Sequence, residues 1–179
     1  STRLGEPPTL ERVDQWLEFD PETEFKLDAT SAWSPAIIDG LVETGAVRIV
    51  DLKGHYKHTD VDQSPDTTLY RRILEAFPGA LIEDPRLTDE TLPLVEGHEH
   101  RVTWDAPITG VASIEGLPFT PEWLNVKPSR FGSLENLFDT IEYCLGRGIG
   151  MYGGGQTELS VGRQHLHALA SLFYPEGPN

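Results

Sequence analysis

The sequence predicts an α/β chain of the (β/α)8 barrel class, and three observations predict it. Six short runs rich in Val, Ile and Leu alternate with longer stretches of helical pattern, the signature of parallel strands joined by crossover helices. The polar residues that end this beat (Asp28, Asp51, Glu83, Asp105, Lys127 and Glu158) recur at intervals of 22 to 32 residues with a mean of 26. That is close to the unit length of a barrel that takes about 250 residues for eight units. The competing layout, an open doubly wound sheet, carries a glycine-rich phosphate turn after its first strand. Here the triple Gly153 to Gly155 comes late in the chain, and it fits neither G-x-G-x-x-G nor the P-loop pattern.

In chain order, the helical pattern TLERVDQWL precedes the strand EFKLD, and SPAIIDGLVETG precedes AVRIVDLKG. PDTTLYRRILEAFPG then leads to ALIEDP, and TDETLPLVEGHEH leads to RVTWDAP. ITGVASIEGLP runs through FTPEW to LNVKPSRFG, SLENLFDTIEYCLGRG leads to IGMYGGGQ, and a last helix spans about Glu158 to Phe173. Ser34-Pro35 and Pro65-Asp66 read as helix N-terminal caps, and Gly45, Gly79 and Gly148 follow helix ends. With Ser1 to Leu4 as a further candidate strand, the chain accounts for about seven units and leaves the barrel incomplete. Residues 1–179 read as a single barrel domain. The opening at Ser1 without methionine and the stop at YPEGPN lead us to expect a segment of a longer chain.

Composition excludes several functional classes. The 14 Lys and Arg against 29 Asp and Glu give a net charge of −15. Phosphate binding needs a basic footprint, so nucleic acid is not an expected partner. No apolar stretch approaches the roughly 20 residues of a membrane helix, and we expect no secretory leader. Cys144, the single cysteine, cannot form an internal disulfide, which suits a reducing cytoplasm.

In a barrel the C-terminal strand ends converge on one mouth, where catalytic groups sit. Reading those ends gives Lys26-Leu27-Asp28, Asp51-Leu52-Lys53, Glu83, Asp105, Lys127 and Gln156-Thr157-Glu158. Residues two apart on a strand share a face, so Lys26 goes with Asp28 and Asp51 with Lys53. Three successive strands ending in an acid, flanked by strands ending in lysine, point to an oxygen-only site for a hard divalent cation. Magnesium keeps octahedral geometry with open positions for water or substrate. Buried acids without a cation would be costly. A metal so held acts as a Lewis acid on a bound carboxylate, and neighbouring lysines move a proton from carbon if their surroundings lower their pKa values.

The order of these residues resembles the barrel domain of the enolase superfamily, in its mandelate racemase and muconate lactonizing enzyme branch. The resemblance covers nearly the whole chain in order and spacing, and IEDP and VKPSRFGSL are its most specific pieces. It implies metal ligation by Asp51, Glu83 and Asp105, a sixth-strand lysine at Lys127 and a seventh-strand acid at Glu158. The chain departs from the family pattern in three respects. The K-x-K position of the second strand reads Lys26-Leu27-Asp28; Lys53 stands on the third strand where asparagine is often found; and residues 1–179 do not include the family's N-terminal capping domain. The implied activity is Mg2+-dependent abstraction of a proton alpha to a carboxylate through an enediolate, of racemase, dehydratase or cycloisomerase type, a chemistry typical of such sites. In it Lys127 is the principal acid/base, Lys26 or Lys53 assists, and Glu158 orients substrate or donates a proton. Asp28, Gln156 and Trp104 are the expected substrate-facing residues. A small carboxylate-bearing substrate, a cytoplasmic location and a homo-oligomeric full-length protein complete the expectation. A Schiff-base aldolase using Lys127 and a non-catalytic relative are the alternatives.

Other features read as structural. His165 and His167, two apart on a helix, face different ways. His55 and His58 fall in the loop after the third strand, and Cys144 lies in the apolar pattern of a helix. Trp16, Trp33 and Trp123 read as packing, and Gly153 to Gly155 as a flexible turn or a close backbone approach.

Overall fold

The computed structural model describes residues 10–156 and 158–177. Its strands are parallel and follow chain order, each separated from the next by a helical crossover, which is the build of an incomplete (β/α)8 barrel. The chain forms two compact units, Ser1–His98 and Glu99–Asn179. The candidate strand at Ser1 to Leu4 lies outside the described residues.

In the first unit, helix α1 (Leu10–Phe19) precedes strand β1 (Phe25–Asp28), and helix α2 (Pro35–Glu43) leads to β2 (Val47–Asp51). Helix α3 (Thr67–Ala76) then leads to β3 (Leu81–Glu83) and the four-residue helix α4 (Leu92–Val95). Both predicted caps form. Ser34 Oγ accepts from the Ile37 N–H at 3.3 Å, and the Asp66 carboxylate accepts from Thr68 and Leu69 N–H at 2.9 and 3.0 Å. A side-chain cap of this kind stabilises a helix by about 1 kcal/mol. Gly45 follows α2 in the left-handed region, at φ 64°. The two registers align Asp28 with Asp51 and Asp51 with Glu83, so the three acids stand in one row. Beside them Leu27, Val50, Leu52 and Ile82 join Leu41, Tyr70 and Ile73 from the helices in a buried core.

In the second unit, β4 (Val102–Trp104) leads through helix α5 (Val111–Glu115) to β5 (Trp123–Val126). Helix α6 (Leu134–Arg147) leads to β6 (Gly150–Gly153), and helix α7 (Val161–Phe173) follows. Ser133 caps α6 by accepting from the Asn136 N–H at 3.2 Å, and Gly148 ends it at φ 68°. Helix α7 starts three residues later than the sequence pattern predicts, because Glu158 is engaged elsewhere. Cys144 is buried on α6, and that burial pushes its thiol up to about 11. Among the described residues, no helix is long and apolar enough to cross a membrane.

Candidate functional site

In the first unit, β2 and β3 deliver Asp51 and Glu83 at paired positions, each at 0 % exposure. An oxygen of one carboxylate lies within 4.8 Å of an oxygen of the other. Two like charges this close and dry need cations, and two lysines supply them. Lys26, on β1 and 15 % exposed, contacts Glu83 and reaches Asp51 at 3.2 Å. Lys53 donates to Asp51 from its backbone N–H at 2.9 Å and from Nζ at 2.5 Å, and its Nζ lies 3.3 Å from Asp28. The ammonium also sits over the Tyr56 ring at 4.7 Å.

Burial alone would raise the Asp51 carboxyl, but Lys26 and Lys53 outweigh it and hold it below the usual carboxylate range. At Lys53 burial pulls the other way, and the adjacent Asp51 and Asp28 override it to raise the ammonium above its ordinary value. The lowered lysine pKa that would suit a general base is therefore not met at Lys53. Asp28, expected to face substrate, is paired with Lys53.

The second unit carries a buried acid of its own. Asp105 follows β4, is also at 0 % exposure, and accepts from Lys127 Nζ at 2.6 Å and from the Arg130 guanidinium. Lys127 directly follows β5. One 3-10 turn (Pro128–Arg130) brings Arg130 back over the same carboxylate, since residues three apart in such a turn eclipse one another. Arg130 was not anticipated as a site residue, although the spacing of Lys127 and Arg130 carried that signal.

Gly154 lies against Lys127: a Cβ there would meet Lys127 Cε at 3.0 Å and Asn125 Oδ1 at 2.9 Å. The glycine triple thus lets backbone approach the lysine's own stem. Glu158 accepts from the Gln156 N–H at 2.5 Å. Burial pushes its carboxyl up, but its own N–H, the Ser129 hydroxyl, the Gln156 N–H and Lys127 together hold it below its ordinary range. The Gln156 side chain is exposed. Trp104 is buried, with its ring 5.0 Å from Phe119, a packing contact. His165 and His167 are exposed on α7. His55 is exposed in the β2 loop, with Nε2 donating to the Pro85 carbonyl at 3.0 Å.

The model of the family described as "Domain of unknown function (DUF8230) C-terminal domain" matches residues 1–179. The chain belongs to that family. No curated protein matches it. Among solved structures, this member of the DUF8230 C-terminal family is similar to an enolase-superfamily protein from Listeria innocua, at TM-score 0.69 and 21% identity over 95% of this chain and 45% of the other. It is similar to the dipeptide epimerase from Methylococcus capsulatus complexed with Mg ion, at 0.68 and 19% over 98% and 51%. A probable mandelate racemase from Alicyclobacillus acidocaldarius gives 0.66 and 24% over 92% and 44%. The shared fold is the barrel of the mandelate racemase and muconate lactonizing proteins. The chain spans about half the length of the structures it matches.

Proposed function

We propose that Asp51, Glu83 and Asp105 together hold one Mg2+ ion and that the protein removes a proton alpha to the carboxylate of a small substrate. The observation that carries the reading is the burial of three carboxylates at successive strand ends, each held against lysine or arginine. Their oxygen-only donor set fits a hard cation, and a solved structure of the same fold is a complex with Mg ion. The cation, when bound, supplies Lewis-acid charge to the substrate carboxylate.

In this reading the chain's own groups divide the work. Lys127 gives and takes the proton at carbon. The hydrogen bond to Asp105 and the close backbone at Gly154 fix its ammonium, and general acid–base catalysis depends on such placement. Lys26 and Lys53 stand on the side of Asp51 and Glu83. Because Asp51 and Asp28 keep Lys53 protonated, its part is electrostatic or as a proton donor. Glu158, tied to Gln156, orients substrate near Lys127. Exchange of α-protons into deuterated water, assayed in the complete protein over a panel of small carboxylates with and without Mg2+, tests the proposal. Exchange that persists in EDTA would refute the metal's part in it.

A further inference from the structure

At the tips of β2 and β3 the ladder continues irregularly past the two carboxylates. The Leu52 N–H donates to Glu83 O, and the Gly54 N–H donates to Asp84 O, each at 2.9 Å. Two residues of advance on the β2 side are thus matched by one on the β3 side, where regular parallel pairing would match two. The mismatch is absorbed by Lys53 at φ 51° and Asp84 at φ 50°, both in the left-handed region. Side-chain-bearing residues stay there only when the surroundings over-determine them.

Arg86 supplies those surroundings. Its N–H donates to Tyr70 Oη at 2.9 Å, and its carbonyl accepts from Thr91 Oγ1 at 2.6 Å, so its own backbone is fixed. Its guanidinium spans the gap to the β2 loop, with Nε donating to Gly54 O and Nη2 to Asp62 Oδ1, both at 2.6 Å. The loop is closed at its base by the Gln63 N–H donating to Lys53 O at 3.1 Å. At Gly54 the approach is so close that a Cβ would lie 2.4 Å from the Arg86 nitrogen and 2.8 Å from Asp84 O. These four hydrogen bonds of Arg86 go to neither Asp51 nor Glu83, yet they join the segments that carry them.

We propose that Arg86 is a positioning residue. By clamping Gly54 and Asp62 against the tip of β3, it fixes the separation of the Asp51 and Glu83 carboxylates and makes the cation site selective for Mg2+ over Ca2+. This rests on the metal-binding reading above. Mg2+ demands near-ideal octahedral geometry at short distances, whereas Ca2+ accepts longer bonds and variable geometry. A rigid pair of ligands therefore favours the smaller ion, and a pair free to drift apart loses that preference. Groups that only orient metal ligands commonly change affinity by about 10- to 100-fold.

The test is calorimetric titration of the complete protein with Mg2+ and, separately, with Ca2+, for wild type, Arg86→Lys and Asp62→Ala. Lysine keeps the charge but cannot reach Gly54 O and Asp62 together. Asp62→Ala removes one arm of the clamp on a loop and leaves the core untouched. Arg86→Lys should raise the Mg2+ Kd about tenfold and the Ca2+ Kd distinctly less, with Asp62→Ala in between. A general loss of stability would raise both constants by one factor and leave their ratio alone. An unchanged Mg2+/Ca2+ ratio in both variants, with wild type binding Mg2+, overturns the positioning role and leaves the metal reading standing. If Arg86→Lys does not fold, an unchanged ratio in Asp62→Ala has the same force. A wild-type protein that binds neither ion overturns both.

Discussion

Replacing Lys26 by methionine, close to it in length and uncharged, tests how the buried acids are kept in place. Lys26 bridges Asp51 and Glu83, at 3.2 Å from the first and in contact with the second. At an effective dielectric of about 20, a charge pair at that distance attracts by about 5 kcal/mol. Desolvation of the 15 % exposed ammonium offsets part of this. Removing it takes a cation from Glu83 and leaves Lys53 on Asp51, and breaking a buried ion pair costs about 3–5 kcal/mol. For a chain of this size each kcal/mol moves the midpoint by about 2–4 °C, so melts in EDTA should fall by roughly 6–20 °C. The sign of the Mg2+ effect then separates a metal site from a plain ion-pair network. In wild type the cation competes with an ammonium already present, whereas in Lys26→Met it replaces a missing charge, and binding stabilises the folded state by mass action. Mg2+ should therefore raise the midpoint of Lys26→Met by more than that of wild type. A Lys26→Met midpoint within about 2 °C of wild type in EDTA would refute the account of the buried acids, and equal Mg2+ shifts would refute the shared site.

Glu83→Gln keeps the shape of a ligand and removes its charge, so calorimetry should show Mg2+ affinity weakened by roughly tenfold or more; equal affinity would remove Glu83 from the site. Lys127→Ala in the complete protein should abolish α-proton exchange even at Mg2+ concentrations that saturate the variant, since a positioned acid/base is worth about 10²–10⁴ in rate. Undiminished exchange would move that role to Lys26 or Lys53. Partial desolvation of its ring holds the His55 imidazole below its ordinary pKa, and Arg86 and Lys57 add to this against the Pro85 contact. The unfolded chain therefore binds a proton there below about pH 6.5 that the folded chain does not, and stability should fall as the pH drops through that region. His55→Gln should flatten this part of the urea-midpoint profile, and an unchanged slope would assign it to other groups.

Much of the first half of each unit was legible because strand and cap signals are local. Val-Ile runs closed by acid gave β2 and β3, and Ser34, Asp66 and Gly148 mark helix ends where the structure has them. The acids Asp51, Glu83 and Asp105 were legible for the same reason, since a charge at the end of an apolar run is conspicuous. The cations answering them were harder to place. Lys26 and Lys127 lie on the alternating strand pattern, but Arg130 reaches Asp105 from a 3-10 turn, where one dihedral redirects a long side chain. Helix lengths were also misjudged where Pro93 and Gly97 confine α4 to Leu92–Val95. At α7, the Gln156 N–H is taken by Glu158 and the helix begins only at Val161.

The buried thiol on α6 gives this chain a reporter of its own motions. With its pKa near 11, Cys144 is about 0.1% thiolate at pH 8, against roughly a quarter for a free cysteine, and it is sealed from reagents. It is the only cysteine of residues 1–179, so a label on this segment reports on α6 alone. Alkylation of the native protein then waits on α6 lifting away from its strand, and the labelling rate measures how often that happens. Run with and without Mg2+, the same reaction reads out whether occupation of a centre on the strand ends is felt by the helix layer behind them.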